Sequence, residues 1–231
     1  IPARSGSKGI PHKNIRSFKN KPLIVWSIQQ ALSSKYKEDM KIVVTTDSEE
    51  YRKIAIECGA EAPFLRPPEI SKDESIDSEF IVHAVDFLEK ENYKPDIILQ
   101  LRPTQPCRKV EDIDKCIDLF IENRDNYDSL RTVVPFLKCP QKMYIIKDNQ
   151  LIPYFKKYEN IDEPYNQCRQ LLPDNYLHNG YIDILNTSII KNGTISGEKI
   201  LPYIMNDSDT IDIDNEDDWI KAENYNNLIH D

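Results

Sequence analysis

From Leu23 to Val134 the chain alternates amphipathic stretches with short apolar ones, and few folds accommodate that rhythm. Periodicity predicts helices over 22–35, 48–58, 75–91 and 110–123, the first carrying Leu23, Trp26, Ile28, Ala31 and Leu32 near helical spacing. Between and after them fall predicted strands at 41–46, at a short segment ending in Leu65, at 96–101 and at 129–134. Near-continuous Ile, Val and Leu implies burial on both faces. The expectation is an α/β fold with a mainly parallel sheet flanked by helices. Ligands in such sheets bind beyond the carboxyl ends of the strands. Polar motifs recur there: Thr45-Thr46-Asp47, Leu65-Arg66-Pro67-Pro68-Glu69 and Leu101-Arg102-Pro103-Thr104. Any one of them could be a helix-capping loop. Three on one rim read as a site.

The run Ile1-Pro-Ala-Arg-Ser-Gly-Ser-Lys-Gly-Ile-Pro-His-Lys-Asn14 follows what reads as a buried strand already under way, since the sequence opens at Ile1 without Met. Arg4, Lys8 and Lys13 surround Gly6 and Gly9. Glycines let backbone N–H groups approach phosphate oxygens while the cations neutralise their charge, so the loop is built to hold a polyphosphate. It is neither a Walker A loop nor a dinucleotide fingerprint, because Gly-x-x-x-x-Gly-Lys-Ser/Thr and Gly-x-Gly-x-x-Gly are both missing.

The second motif is Thr210-Ile211-Asp212-Ile213-Asp214. In an extended chain Asp212 and Asp214 share one face while Ile211 and Ile213 anchor the other. Two carboxylates on one face suit Mg²⁺, which completes its octahedron with phosphate oxygens and water. Asp207, Asp209, Glu216, Asp217 and Asp218 also allow a plainer reading, an acidic stretch capping a last helix.

At 231 residues the chain suffices for one substantial core and a small lobe, and its net charge of −9 argues against a nucleic-acid or anionic-membrane surface. No apolar run approaches the roughly 20 residues of a membrane span, and no signal peptide is visible. Cys58, Cys107, Cys116, Cys139 and Cys168 form no C-x-x-C pair and no zinc spacing, which fits reduced thiols in a cytoplasm; Cys58 and Cys116 read as core fillers on helices. His12, His83, His178 and His230 read as ordinary, His83 within a helix and His230 in a tail. Beyond residue 135 the texture changes to a hairpin over 143–152 turning at Asp148-Asn149, then an irregular stretch rich in Tyr, Asn and Pro. Strands at 180–185 and 200–205 return the chain to the main sheet.

Residues 1–14 resemble, almost letter for letter, the signature of the acylneuraminate cytidylyltransferases, which make CMP-sialic acid and related CMP-nonulosonates. That resemblance implies a Rossmann-like nucleotidyltransferase fold. Its nucleotide-binding core is 1–134 plus 208–231, and 135–207 holds a dimerisation insert and return strands, in a homodimer. CTP and a free nonulosonic acid are the implied substrates. The anomeric hydroxyl attacks the α-phosphorus and diphosphate leaves, with no covalent nucleophile; no side chain is singled out as the base.

By the same resemblance, Arg4, Lys8 and Lys13 hold the triphosphate, and Ala3, Ser7 and Asn14 complete the nucleotide site. Arg66 lies near cytosine O2 and N3. Asp77 faces the cytosine amino group, although a carboxylate there could equally accept from guanine. Asp212 and Asp214 ligate the catalytic Mg²⁺. Arg102 and Arg169, with Gln100, are expected to meet the acceptor's carboxylate and hydroxyls. Two departures point to an acceptor such as legionaminic or pseudaminic acid. Arg102-Pro103-Thr104-Gln105-Pro106 replaces Gln-Pro-Thr-Ser-Pro, and a family arginine is absent around Leu177-His178-Asn179-Gly180, while Arg169-Gln170-x-x-Pro173 is kept. The plainer reading of Arg102 is a structural ion pair. Two other functions stay open: a sugar nucleotidyltransferase using GTP or a sugar 1-phosphate, and a non-catalytic nucleotide-binding module.

Overall fold

The computed structural model describes residues 1–190 and 193–225, so His230 lies outside the described residues. In chain order the elements are β1 (Ser17–Phe18), β2 (Lys21–Pro22), α1 (Leu23–Ser33), α2 (Glu49–Glu57), α3 (Asp77–Lys90), β3 (Ile97–Gln100), α4 (Val110–Asn123) and β4 (Ser129–Phe136). There follow β5 (Tyr144–Lys147), β6 (Gln150–Pro153), β7 (Lys157–Tyr158), β8 (Ile161–Asp162), β9 (Asn175–Asn186), α5 (Thr187–Ile190), β10 (Ile200–Ile204) and α6 (Glu216–Glu223). All four predicted helices form within two residues of the expected bounds. Three helices have side-chain caps at their starts: the Ser48 hydroxyl accepts from Tyr51 N at α2, the Glu79 carboxylate from Ile76 N at α3, and the Asn215 side chain from Asp218 N at α6, whereas α1 and α4 begin without one.

The four-stranded sheet has the order β10-β4-β9-β3. β10 runs parallel to β4, but β9 runs antiparallel to both its neighbours, so this sheet is mixed. The segments at 1–3, 42–45 and 61–62 also run parallel, joined by bridges rather than full ladders: Ala3 N donates to Thr45 O, Thr45 N to Ile1 O and Val44 N to Glu61 O. A largely apolar cavity of about 360 Å³ lies between these segments and β3. The strand expected to end at Leu65 is reduced to the bridge at Glu61.

Helix α4 packs Ile113, Cys116, Ile117 and Phe120 against Leu130, Ile182 and Ile184 of the sheet, while α1 packs Ile24, Val25 and Ile28 against Val44, Tyr51 and Ala55. Burying side chains of this size contributes about 1.5–3 kcal/mol each. A third cluster joins Ile10, Phe18 and Leu23 to Ile213, Trp219 and Ala222, tying the first twenty residues to the last helix. Cys116 is a core residue as expected; Cys58 sits half-exposed at the end of α2. Between β4 and β9 the chain forms two small hairpins, β5-β6 and β7-β8, and at the first turn Asp148 and Asn149 adopt positive φ. Among the described residues no helix is long and apolar enough to cross a membrane.

Candidate active site

The loop after the 1–3 segment is folded by its own polar side chains. Asn14 Nδ2 donates to the Arg4 carbonyl at 3.0 Å, closing it across its base. Asp47 receives both the Ser5 amide (2.7 Å) and the Ser5 hydroxyl (2.8 Å). Asp47 therefore shapes the loop, and Ser48 rather than Asp47 caps α2. Ala3 is buried and holds the register through Thr45.

The C-terminal acids come to the same place. Ile213 N donates to the Thr104 carbonyl at 2.9 Å, and Lys13 Nζ donates to the Ile213 carbonyl at 2.6 Å and to Asp214 Oδ1 at 3.4 Å. Gly9 faces the Asp214 carbonyl so closely that a Cβ would overlap it. Ile213 is buried while Asp212 and Asp214 are surface-accessible, the alternation of an extended segment. Asp212 is exposed as a residue, yet protein crowds around its carboxyl group. That burial, with Asp214 beside it, holds its carboxyl above the usual range against the opposing Thr104 hydrogen bond and the positive charge of Lys13 and Arg102.

A polar cleft of about 210 Å³ opens beside the loop, lined by Arg4, Ser7, Lys13, Asn14, Arg66, Lys72, Ser75, Asp77, Arg102 and Thr104; Lys8, Gln100, Asp212 and Asp214 stand outside its lining. Arg66 is buried there. Its Nε donates to Thr45 Oγ1 (3.1 Å), one Nη donates to Thr45 O (2.8 Å), and its plane lies over Phe80 at 4.7 Å. Burial lowers its pKa to about 10, so it stays charged at neutral pH.

Asp77 Oδ2 accepts from Gln100 (2.8 Å) and from Arg102 Nη2 (2.7 Å), and Arg102 Nη1 meets Asp183 Oδ2 at 2.5 Å. Asp183 Oδ1 also binds His178 Nε2 at 2.7 Å. Burial works against charge on Arg102, yet Asp183 and Asp77 more than offset it and raise its pKa. Its guanidinium thus lies between two carboxylates.

Lys8 stands at the outer edge, highly exposed and paired with Asp73. Arg169 is not brought to the cleft: it is exposed in a separate depression with Cys139 and Pro173 at the base of the hairpins. Residues that the sequence reading passed over are Asp73, Asp183 and Arg108. Arg108 is fully buried, donates to the carbonyls of Arg102 and Tyr181 and to Gln30, and so fixes the 102–106 turn. A lone Asp inside the apolar run Gly180–Leu185 was the available signal for Asp183; nothing in the sequence marked Arg108.

A profile of the family described as Cytidylyltransferase matches residues 1–175. The chain belongs to that family. It is 33% identical over 220 residues to the N-acylneuraminate cytidylyltransferase of Escherichia coli, covering 95% of this chain and 49% of the relative. It is also 33% identical over 229 residues to the CMP-N,N'-diacetyllegionaminic acid synthase of Legionella pneumophila, covering 96% and 93%. The chain therefore spans about half the length of the first relative and nearly all of the second. Among solved structures, a CMP:2-keto-3-deoxy-manno-octonic acid synthetase complexed with CTP aligns with a TM-score of 0.67 at 15% identity, covering 96% of this chain and 95% of that one. That likeness establishes the Rossmann-like nucleotidyltransferase fold. Cytidylyltransferases of this kind use a divalent metal ion. No group of three or more His, Cys, Asp or Glu placed to hold a metal occurs among the described residues. The pair Asp212 and Asp214 fits an ion that takes only two protein carboxylates and finishes its shell on phosphate and water.

Proposed function

We propose that this chain transfers CMP from CTP to the anomeric hydroxyl of a free nonulosonic acid of sialic, legionaminic or pseudaminic type, releasing diphosphate. One observation carries the reading: Lys13, which lines the polar cleft, joins the cationic glycine loop to a paired-acid segment two hundred residues away. Arg4 and Lys13 in that cleft, with Lys8 at its outer edge, hold the triphosphate through charge-assisted hydrogen bonds, with Ser7, Asn14 and the backbone after Ala3 shaping the seat. Arg66 donates to the cytosine ring acceptors from a fixed plane, and Asp77 accepts from its amino group. Gln100 and Arg102 face the acceptor.

The rate comes from positioning and from neutralising charge that grows on the leaving diphosphate, which Lys13 is placed to do. Asp212 and Asp214 would hold Mg²⁺, whose contribution when bound is to neutralise phosphate charge and ease deprotonation of the acceptor hydroxyl.

We assign 1–134 and 208–231 to the nucleotide core and 135–207 to a dimerisation arm with its return strands. Leu137, Ile146, Leu151, Tyr154 and Leu171 are exposed apolar side chains concentrated there, which supports a homodimer whose partner arm delivers Arg169. A cytoplasmic location accords with the free cysteines.

The test is incubation with each of the four NTPs, Mg²⁺ and either nonulosonic acids or sugar 1-phosphates, read by mass spectrometry. CMP-nonulosonate from CTP alone is expected. Product from GTP, or consumption of a sugar 1-phosphate, overturns the assignment.

A further inference from the structure

Asp73 stands against the two outer cations of the loop. One carboxylate oxygen accepts from Arg4 Nη1 at 2.6 Å and the other pairs with Lys8 Nζ at 2.7 Å. Neither cation has another acidic partner among the described residues. A single anion whose two oxygens are shared by a guanidinium and an ammonium reproduces the contacts that phosphate oxygens would make.

Asp73 belongs to a turn over 71–76, between the 3-10 turn Pro68–Ile70 and α3. The turn is closed on itself: Lys72 N donates to Ser75 Oγ at 3.1 Å and Ser75 N to Lys72 O at 3.2 Å. Lys72 and Ser75 line the same cleft as Arg4 and Lys13, and the ammonium of Lys72 makes no ion pair among the described residues. Both Asp73 pairs are open to water, with Lys8 80% and Asp73 38% exposed, so they can part without unfolding anything.

We infer that Asp73 is an internal competitor of the triphosphate: it occupies Arg4 and Lys8, and nucleotide binding displaces it, moving the 71–76 turn and bringing Lys72 into use as a further phosphate-binding cation. The inference rests on the reading that the 4–13 loop receives a polyphosphate, and on nothing about the base or the acceptor. A triphosphate with several negative charges outbids one carboxylate for the two cations, yet must first break two ion pairs. Exposed pairs are individually weak, so the competition is worth about three- to tenfold in affinity.

Calorimetric titration of the full chain with inorganic diphosphate, comparing wild type, Asp73→Asn and Glu74→Gln, tests this. Glu74 is the adjacent acid and makes no ion pair among the described residues, so Glu74→Gln removes equal charge without releasing Arg4 or Lys8. The expected result is binding about three- to tenfold tighter in Asp73→Asn, shrinking as salt rises, with Glu74→Gln within about twofold of wild type. Lys72→Met in the Asp73→Asn background should give back part of that gain. Equal tightening in both single variants would reduce the effect to long-range charge. Unchanged or weaker binding in Asp73→Asn would make Asp73 a strut. Either result overturns the inference while leaving the loop a phosphate site. Failure of every variant, wild type included, to bind diphosphate would instead overturn the polyphosphate reading and this inference with it.

Discussion

Lys13 Nζ lies 2.6 Å from the carbonyl oxygen of Ile213, so a cation near the start of the chain is anchored to the backbone between two acids near its end. The side chain is 12% exposed, and a charged donor on a partly buried carbonyl contributes about 1.5–3 kcal/mol. Lys13→Met should therefore cost stability of about that order. It should also lower kcat/KM for CTP by roughly two to three orders of magnitude, because the same ammonium faces the cleft. Lys13→Arg restores charge without the compact geometry and should recover little. Steady-state kinetics alongside thermal melts separates the two effects; a stability loss with kinetics intact would leave Lys13 a strut alone.

Gly9 meets the Asp214 carbonyl at a distance no real Cβ tolerates, and the obstacle is backbone rather than a side chain that could swing away. Gly9→Ala should push the loop from the 212–214 segment. A displacement near 1 Å is worth about a hundredfold in a positioned reaction. Loss of activity in Gly9→Ala with the fold retained by circular dichroism is the expected outcome, and full activity would show that the loop need not touch the 212–214 segment.

The helices were legible because their apolar spacing is local, as are the caps of α2 and α3. So was the site rim, since Thr45, Arg66 and Arg102 stand at or after short segments that run as strands or as isolated bridges. Strand direction was not: β9 reads as the same Ile-rich run whether it enters parallel or antiparallel, and the long path through the hairpins decides that it enters antiparallel to β4. Segment 42–45 looks apolar enough for a strand but reaches only bridges, one of them to Glu61. The roles of Arg102 and Asp77 were half legible. Their residue types suggested ligand contacts, whereas their mutual ion pair depends on a third residue, Asp183, contributed from about eighty positions away.

Burial alone would raise the Asp183 pKa, but the His178 hydrogen bond and the Arg102 guanidinium hold it below the ordinary aspartate range. A depressed folded pKa contributes stability that is fully present above the unfolded value, near 3.9, and is lost as pH falls through the folded one. Asp183→Asn should thus destabilise by about 2–4 kcal/mol at pH 5–8, since it leaves Arg102 half-neutralised, and the gap to wild type should close below about pH 4. Urea titrations across that range measure it. A gap independent of pH would assign the loss to packing.

Among the cysteines, Cys168 is exposed, whereas burial pushes Cys107 up to about 12 and Cys116 higher still. The thiolate is the reactive form. Iodoacetamide at pH 8 should label Cys168 first and reach Cys107 and Cys116 only in denaturant, as peptide mapping would show. Early labelling of Cys116 would contradict the packing of α4 on the sheet.

Asp212 and Asp214 place function and stability in opposition. Burial, with Asp214 close by, raises the Asp212 pKa. A raised carboxyl pKa means that the ionised form disfavours the fold, so stability should increase as pH drops through that value. Asp212→Asn removes the crowded charge and should leave Tm unchanged or higher. The same substitution takes away a carboxylate from the proposed cation site, so kcat/KM should fall by about a hundredfold or more and half-maximal activity should need more Mg²⁺. Asp214→Asn should share the kinetic loss without the gain in Tm, because Asp214 pairs with Lys13. Melting curves and Mg²⁺ titrations on both variants decide the matter: full activity in Asp212→Asn would remove these acids from the proposed cation site.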